Sequence, residues 1–219
     1  MPQTENSRKD WKELAEEHYS ELYGRLDPME AAARCGVPFD GQAFLLRLMG
    51  ADYRAAFPRF ELALQDGSAG KPVYDESVRV LLLRYLCGGR QAAARGGQLS
   101  YNDIPWGALY FRNFEGRCIK RIERTFGGDL PRFSRIFEAN ESLRAEKLDG
   151  KECGWRFEFL NGLFMSIIIW EGDDEFPTKA QILFDDNFPD AFSAEDTAVA
   201  GDICISRLKE MFTELKDKA

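Results

Sequence analysis

The pair Asn161-Gly162 constrains the fold more than any other feature of this chain. Both positions tolerate positive φ, which a two-residue hairpin turn demands. Before it, Trp155, Phe157 and Phe159 alternate with Arg156, Glu158 and Leu160. After it runs a return strand from Leu163 to Trp170, whose Ile167-Ile168-Ile169 run predicts a central strand covered on both faces. Ala180 to Phe184 reads as a further strand. Adjacent strands joined by tight turns pair antiparallel, so helices elsewhere must pack on an antiparallel sheet. The expected class is α+β, with antiparallel sheet and flanking helices in a single domain over residues 1–219.

The remaining pattern fits this class. Residues 7–24 read as an amphipathic helix whose face joins Trp11, Leu14, Ala15, His18 and Leu22. Asp27 and Pro28 open a short second helix as cap and first helical residue, closed by Gly36. Phe44 to Met49 and Asp52 to Phe57 read as strands about a turn at Gly50, followed by Phe60 to Leu64. A helix over Asp75 to Cys87 points Val78, Leu81, Leu82, Tyr85 and Leu86 inward. Phe111, Phe114, Cys118, Ile122 and Phe126 share a second helical face, and Asp129 caps a further helix through Phe137. Ser193 with Asp196 forms a capping-box-like start for the last helix, with Ala200, Cys204, Leu208, Met211 and Leu215 inward. The glycine-containing segment 88–105 is the expected lobe boundary or mobile loop.

Charge is uneven along the chain. Of 37 acidic and 29 basic residues, nine acids and only Lys179 fall between Glu171 and Asp196, so that stretch carries the whole net charge of −8. Residues 79–135 hold eleven basic and four acidic groups, a local +7. An acidic chain with pI near 4.9 lacks the basic footprint of a nucleic-acid binder. No apolar run reaches membrane-span length, and the first ten residues lack the apolar stretch of a secretory signal. The expected setting is cytoplasmic, with neither membrane nor nucleic acid as a partner.

The five cysteines are far apart with no CxxC spacing, which excludes a local zinc or iron–sulfur motif and suits a reducing compartment. Cys118 has three cationic neighbours, Arg117, Lys120 and Arg121, that would favour its thiolate if they reach it. The single histidine, His18, falls on the packing face of the first helix, and no GxSxG elbow accompanies it. The run Gly67 to Lys71 fails the phosphate-loop pattern, because Gln65 stands at its first glycine position and Pro72 follows the lysine. It reads as a turn. Asp185 to Asp190 lacks the glycine and distal glutamate of a calcium loop.

Two segments carry candidate chemistry. In the first, Glu171, Asp173 and Glu175 follow one strand and Asp185 follows the next. Should they converge, they would hold a divalent cation, supply a general acid or base, or attract a cationic ligand. Antiparallel pairing instead separates Glu171 from Asp185. In the second, Trp106 and Tyr110 flank the small corner Gly107-Ala108, with Arg112 close behind. Aromatic walls, a small corner and an arginine suit a small-molecule pocket. The leading expectation is a ligand or cofactor, of unspecified identity, between the 106–112 corner and the acidic 171–175 loop. The alternatives are an accessory module docking a basic protein partner through residues 171–196, and an enzyme with paired carboxylates.

The runs WEGDDEFPTKAQILFD and SAEDTAVAGDICISRL resemble the C-terminal signature of domain-of-unknown-function family 3786, found mostly in anaerobic bacteria and archaea. IPWGALYF is similar to that family's Pro-Gly-Gly-Ala-Phe-Tyr-like stretch, with Trp106 in place of the usual glycine. The resemblance spans about Tyr19 to Leu208 and is most specific from Trp170 to Asp185. It carries over no catalytic residue. Some relatives lie beside cysteine-rich iron–sulfur modules, which this chain lacks. The resemblance implies a bacterial or archaeal cytosolic setting tied to oxygen-sensitive metabolism.

Overall fold

The computed structural model describes residues 11–65, 67, 76–151 and 153–217. In chain order its elements are α1 (Trp11–Tyr23), α2 (Pro28–Cys35), β1 (Ala43–Leu48), β2 (Ala51–Ala56), β3 (Leu62–Leu64) and α3 (Glu76–Gly88). Next come β4 (Gln98–Ser100), α4 (Gly107–Phe114), α5 (Lys120–Phe126), α6 (Leu130–Glu138) and β5 (Glu146–Lys147). The chain finishes with β6 (Cys153–Leu160), β7 (Leu163–Trp170), β8 (Lys179–Asp185), α7 (Phe188–Ala191) and α8 (Ala194–Asp217). The fold is α+β, as the strand and helix patterns predict. Among the described residues no helix is long and apolar enough to cross a membrane.

All eight strands join one antiparallel sheet. Its order is β3-β2-β1-β6-β7-β8-β4, with β5 added beside β6. Asn161 and Gly162 both take positive φ, 26° and 77°, and so turn β6 into β7 as expected. Met49 and Gly50, at 47° and 76°, turn β1 into β2. β7 is central, between β6 and β8, and Ile167, Ile168 and Ile169 are all buried. The 88–105 segment does not divide the chain into lobes. Its Gln98–Ser100 stretch hydrogen-bonds β8 as an edge strand, and the sheet holds strands from both sides of it.

One sheet face carries the core. Phe44, Tyr53, Trp155, Phe157, Phe159, Met165, Ile167 and Phe184 are buried there beneath the helices. Phe137 of α6 stacks on Trp155 at 5.2 Å, and Phe188 of α7 packs on Phe184 at 4.9 Å. α8 lies inward along Ala200, Cys204, Leu208 and Met211, and α3 along Val78, Leu81, Leu82, Tyr85 and Leu86, as their spacing predicts. α1 differs from expectation: Leu14, His18 and Leu22 are exposed, and Tyr19 with Tyr23 faces inward. The physical reason is the larger aromatic pair, whose Tyr23 hydroxyl donates to the Ala56 carbonyl at 3.0 Å while its ring meets Phe60 edge-on.

The helix of the second aromatic face begins at Gly107, four residues before Phe111, and contains a π-helical turn over Glu115–Ile119. The turn explains why Phe114, Cys118, Ile122 and Phe126 all stay buried. Twelve residues of regular α-helix overshoot three full turns by about 120°. The wider turn absorbs one residue and returns Phe126 close to the same face. α8 approaches this turn closely at Gly201, where a Cβ would sit 3.1 Å from the Cys118 Sγ.

Several basic groups of residues 79–135 pair with acids in the last third of the chain. Arg84 meets Glu195 and Asp196, Arg95 meets Asp186, and both Arg117 and Arg121 meet Asp202. The arginines beside Cys118 are therefore engaged by a carboxylate. Burial, reinforced by Asp202, pushes the Cys118 thiol up to about 12, so it is an inert core thiol. Of the run Gly67 to Lys71, residues 68–71 lie outside the described residues.

Candidate functional site

The mid-chain corner is built on a tight turn. The Gly107 N–H donates to the Ile104 carbonyl at 2.8 Å, with Pro105 second and Trp106 third in the turn. Trp106 has φ 68° and ψ −2°, the left-handed geometry that a type II turn imposes at this position and that glycine adopts freely. Gly107 is required for a different reason: a Cβ there would fall 1.9 Å from the Tyr101 carbonyl oxygen. The strained Trp106 side chain is 75% exposed, and Leu109 and Tyr110 on the same side of α4 are 74% and 55% exposed.

Trp106 stands at the mouth of a cleft of about 490 Å³. Tyr19 and Leu22 of α1, Arg84, Cys87 and Gly88 of α3, and Asp190, Phe192 and Asp196 line it with Ile104 and Pro105. Its one cationic lining residue, Arg84, faces acids. Arg84 Nε lies 3.0 Å from Asp196 Oδ1, Arg84 Nη1 lies 3.7 Å from Glu195, and the guanidinium sits 5.5 Å from the Tyr19 ring centre. The Asp196 N–H donates to Ser193 Oγ at 3.2 Å and the Ser193 N–H donates to Asp196 Oδ2 at 3.3 Å, completing the expected capping box of α8, and the Ser193 hydroxyl also donates to Oδ2 at 2.6 Å. Burial raises the Asp196 carboxyl above its usual range against the opposing pull of Ser193 and Arg84. Cys87, the thiol of the cleft, is pushed up to about 11, mainly by burial, so no thiolate nucleophile is poised there.

The sequence-predicted site residues do not form one group. Tyr110 lines a separate cavity of about 330 Å³ with Tyr101, Asn113, Arg117 and Glu195. Arg112 is exposed and lines neither cavity. Glu171, Asp173 and Glu175 lie on the exposed turn between β7 and β8. There Asp173 Oδ1 accepts the Glu175 and Phe176 N–H groups, and these bonds hold its carboxyl below the usual range. Trp170 pairs with Lys179, so Asp185 ends β8 at the far end of the pair, about 20 Å from Glu171. It is buried against Arg156. The expected pocket between the 106–112 corner and the 171–175 loop is therefore corrected. Acids from the later part of the acidic stretch, Asp190 and Asp196, line the cleft with Trp106 instead.

The matching family model is Domain of unknown function (DUF3786), over residues 27–207. The chain belongs to this family. Searches of the curated proteins and of the solved structures give no match.

In this DUF3786 chain the sequence reading missed Arg84 and Asp196 as a cleft pair, because each reads as an ordinary helix residue and they lie 112 positions apart. It also missed a charged cluster on the sheet face opposite the core, where Arg47, Arg144 and Glu158 meet. The available signal was Glu158 within an aromatic strand, read as a solvent-facing partner in the alternation. Among the described residues, no group of three or more His, Cys, Asp or Glu side chains is arranged to hold a metal ion.

Proposed function

We propose that this protein binds a small planar molecule in the cleft beneath Trp106. The observation that carries this reading is the placement of a bulky indole in a turn position suited to glycine, open to solvent beside a concave surface. Strained residues of this kind concentrate at ligand clamps. The indole offers a stacking face, Tyr19, Ile104, Pro105 and Phe192 offer apolar walls, and Arg84, Asp190 and Asp196 offer polar contacts. The acidic excess in this lining favours a neutral or cationic heteroaromatic ligand over an anionic one. Thermal-shift screening of heteroaromatic cofactors against the wild-type chain and Trp106→Ala is the test. A shift present in the first and absent in the second supports the reading. A flat response from both across a broad panel removes it.

The turn between β7 and β8 supports a second reading, an accessory role on a basic protein partner. Glu171, Asp173, Asp174 and Glu175 all face solvent, and Phe176 among them is 67% exposed. An exposed aromatic ringed by acids suits a basic surface with an apolar centre. Partner capture that weakens with salt and disappears in a variant with Asp173, Asp174 and Glu175 amidated would support it. Salt-independent capture would count against it.

A further inference from the structure

We infer that the sheet face opposite the core carries a second binding site, specific for the oxyanion group of a small molecule, clamped between Arg47 and Arg144. Glu158 lies at its floor with its side chain 3% exposed. Glu158 Oε1 accepts the Gly162 N–H at 2.8 Å and Arg144 Nη1 at 3.2 Å, and Oε2 lies 3.4 Å from Arg47 Nε without hydrogen-bond geometry. One buried carboxylate thus draws two guanidiniums together. The space over them, about 500 Å³, is lined also by Asp52, Gln91, Asn161 and Phe164. It shares no lining residue with the Trp106 cleft.

Three features make this a built site rather than a chance ion pair. First, both arginines are fixed at the backbone. The Arg47 N–H donates to Asn161 Oδ1 at 2.9 Å and its carbonyl accepts the Asn161 N–H at 3.1 Å, while Arg144 is held in the left-handed region at φ 48°. Second, donors outnumber acceptors. Two guanidiniums offer about ten N–H groups. Among the described residues Glu158 takes one well-formed hydrogen bond from them, and Asp52 approaches Arg47 Nε only to 4.0 Å. Third, Glu158 and Asp52 balance the two guanidiniums in charge, so an entering group is held by the unused N–H donors and not by a net positive field. Preorganised and rich in N–H donors, the pair matches a carboxylate or phosphate group, with Phe164 beside it as an apolar wall for the rest of the molecule.

Calorimetric titration of the full chain with inorganic phosphate, and separately with succinate, tests the proposal and distinguishes the two oxyanions. Binding of at least one is expected, weakened about tenfold or more in Arg144→Gln. Arg144 is more than half exposed, so this substitution leaves the fold intact, whereas the more buried Arg47→Gln serves as a second variant. Arg112→Gln retains wild-type affinity. Absence of binding for both anions, or equal binding by Arg144→Gln, overturns the proposal.

Discussion

Arg156 reaches across β7 to grip Asp185. Its Nε lies 3.1 Å from Oδ1 and its Nη2 2.5 Å from Oδ2, with the guanidinium carbon 4.0 Å from the centre of the Phe164 ring. Strand register places Phe164 opposite Glu158 on one side and next to the Asp185 end of β8 on the other. The fork-to-fork geometry fixes both partners, and Asp185 is almost wholly buried. Asp185→Ala leaves Arg156 without that partner and should cost about 3 kcal/mol in urea unfolding. A loss below about 1 kcal/mol would show that Glu146, 3.6 Å from Arg156, takes over the pairing.

Trp106→Gly is expected to stabilise the chain while removing ligand response. Glycine relieves the left-handed strain, worth about 1 kcal/mol, and little packing is lost from a side chain so open to solvent. Trp106→Ala keeps the strain and gains nothing. Chemical denaturation of the three proteins checks the order; a glycine variant less stable than wild type would show that the indole packs in the turn.

Gly107→Ala is expected to act in the opposite sense. The added methyl meets a main-chain carbonyl, not a flexible side-chain end, so the turn or the start of α4 must move. A loss of about 2–3 kcal/mol follows from forcing such an overlap. Circular dichroism during thermal unfolding measures it, with exposed Gly116→Ala as the helix control.

Stability should fall on the alkaline side. Burial raises Cys35 and Cys87 to about 11 and Cys118 to about 12, from an ordinary 9.0. Above pH 9 the unfolded chain releases these protons while the folded chain holds them, so the unfolded state binds fewer and stability declines as pH rises. The contribution is complete below pH 9. The urea midpoint should therefore stay level up to that point and drop beyond it; a level midpoint at about pH 10.5 would contradict the assignment.

Thiol reagents give an independent view of the same burial. At about pH 8 a thiol with a value near 12 is ionised on the order of once in ten thousand molecules. Native Cys118 should resist Ellman's reagent and react only as the chain unfolds in denaturant. Prompt reaction of Cys118 in the native protein, located by mass spectrometry, would refute its enclosure.

Local chemistry was readable in advance; long-range pairing was not. Asn161-Gly162, the Ser193–Asp196 box and the inward stripe of α8 each follow from residues a few positions apart, where turn geometry and helical period decide. The strict four-residue spacing from Phe114 to Phe126 already exceeded the α-helical period, and a π turn was the unstated implication. Arg156 with Asp185, Arg84 with Asp196 and Arg47 with Glu158 are separated by 29, 112 and 111 positions, and alternation labels such residues only as facing away from the core. Trp106 stands out in the sequence as an aromatic in place of a glycine usual to the family, and the φ angle of the turn supplies the strain. The tip acids were legible as a cluster, yet antiparallel register places Asp185 at the opposite end of the strand pair.

β1 and β6 meet through a single register pair, Leu48 with Leu160, whereas β6 and β7 pair along almost their whole length. The three-strand N-terminal meander is thus stitched to the rest of the sheet by one narrow seam, reinforced by the main-chain bonds of Met49 and Asn161. Arg47 and Glu158 face each other across that seam, and a molecule bridging the two arginines would rivet the halves together. Amide exchange in β1 and β2 would slow in its presence, so occupancy could be read in the breathing of strands that the ligand itself barely touches.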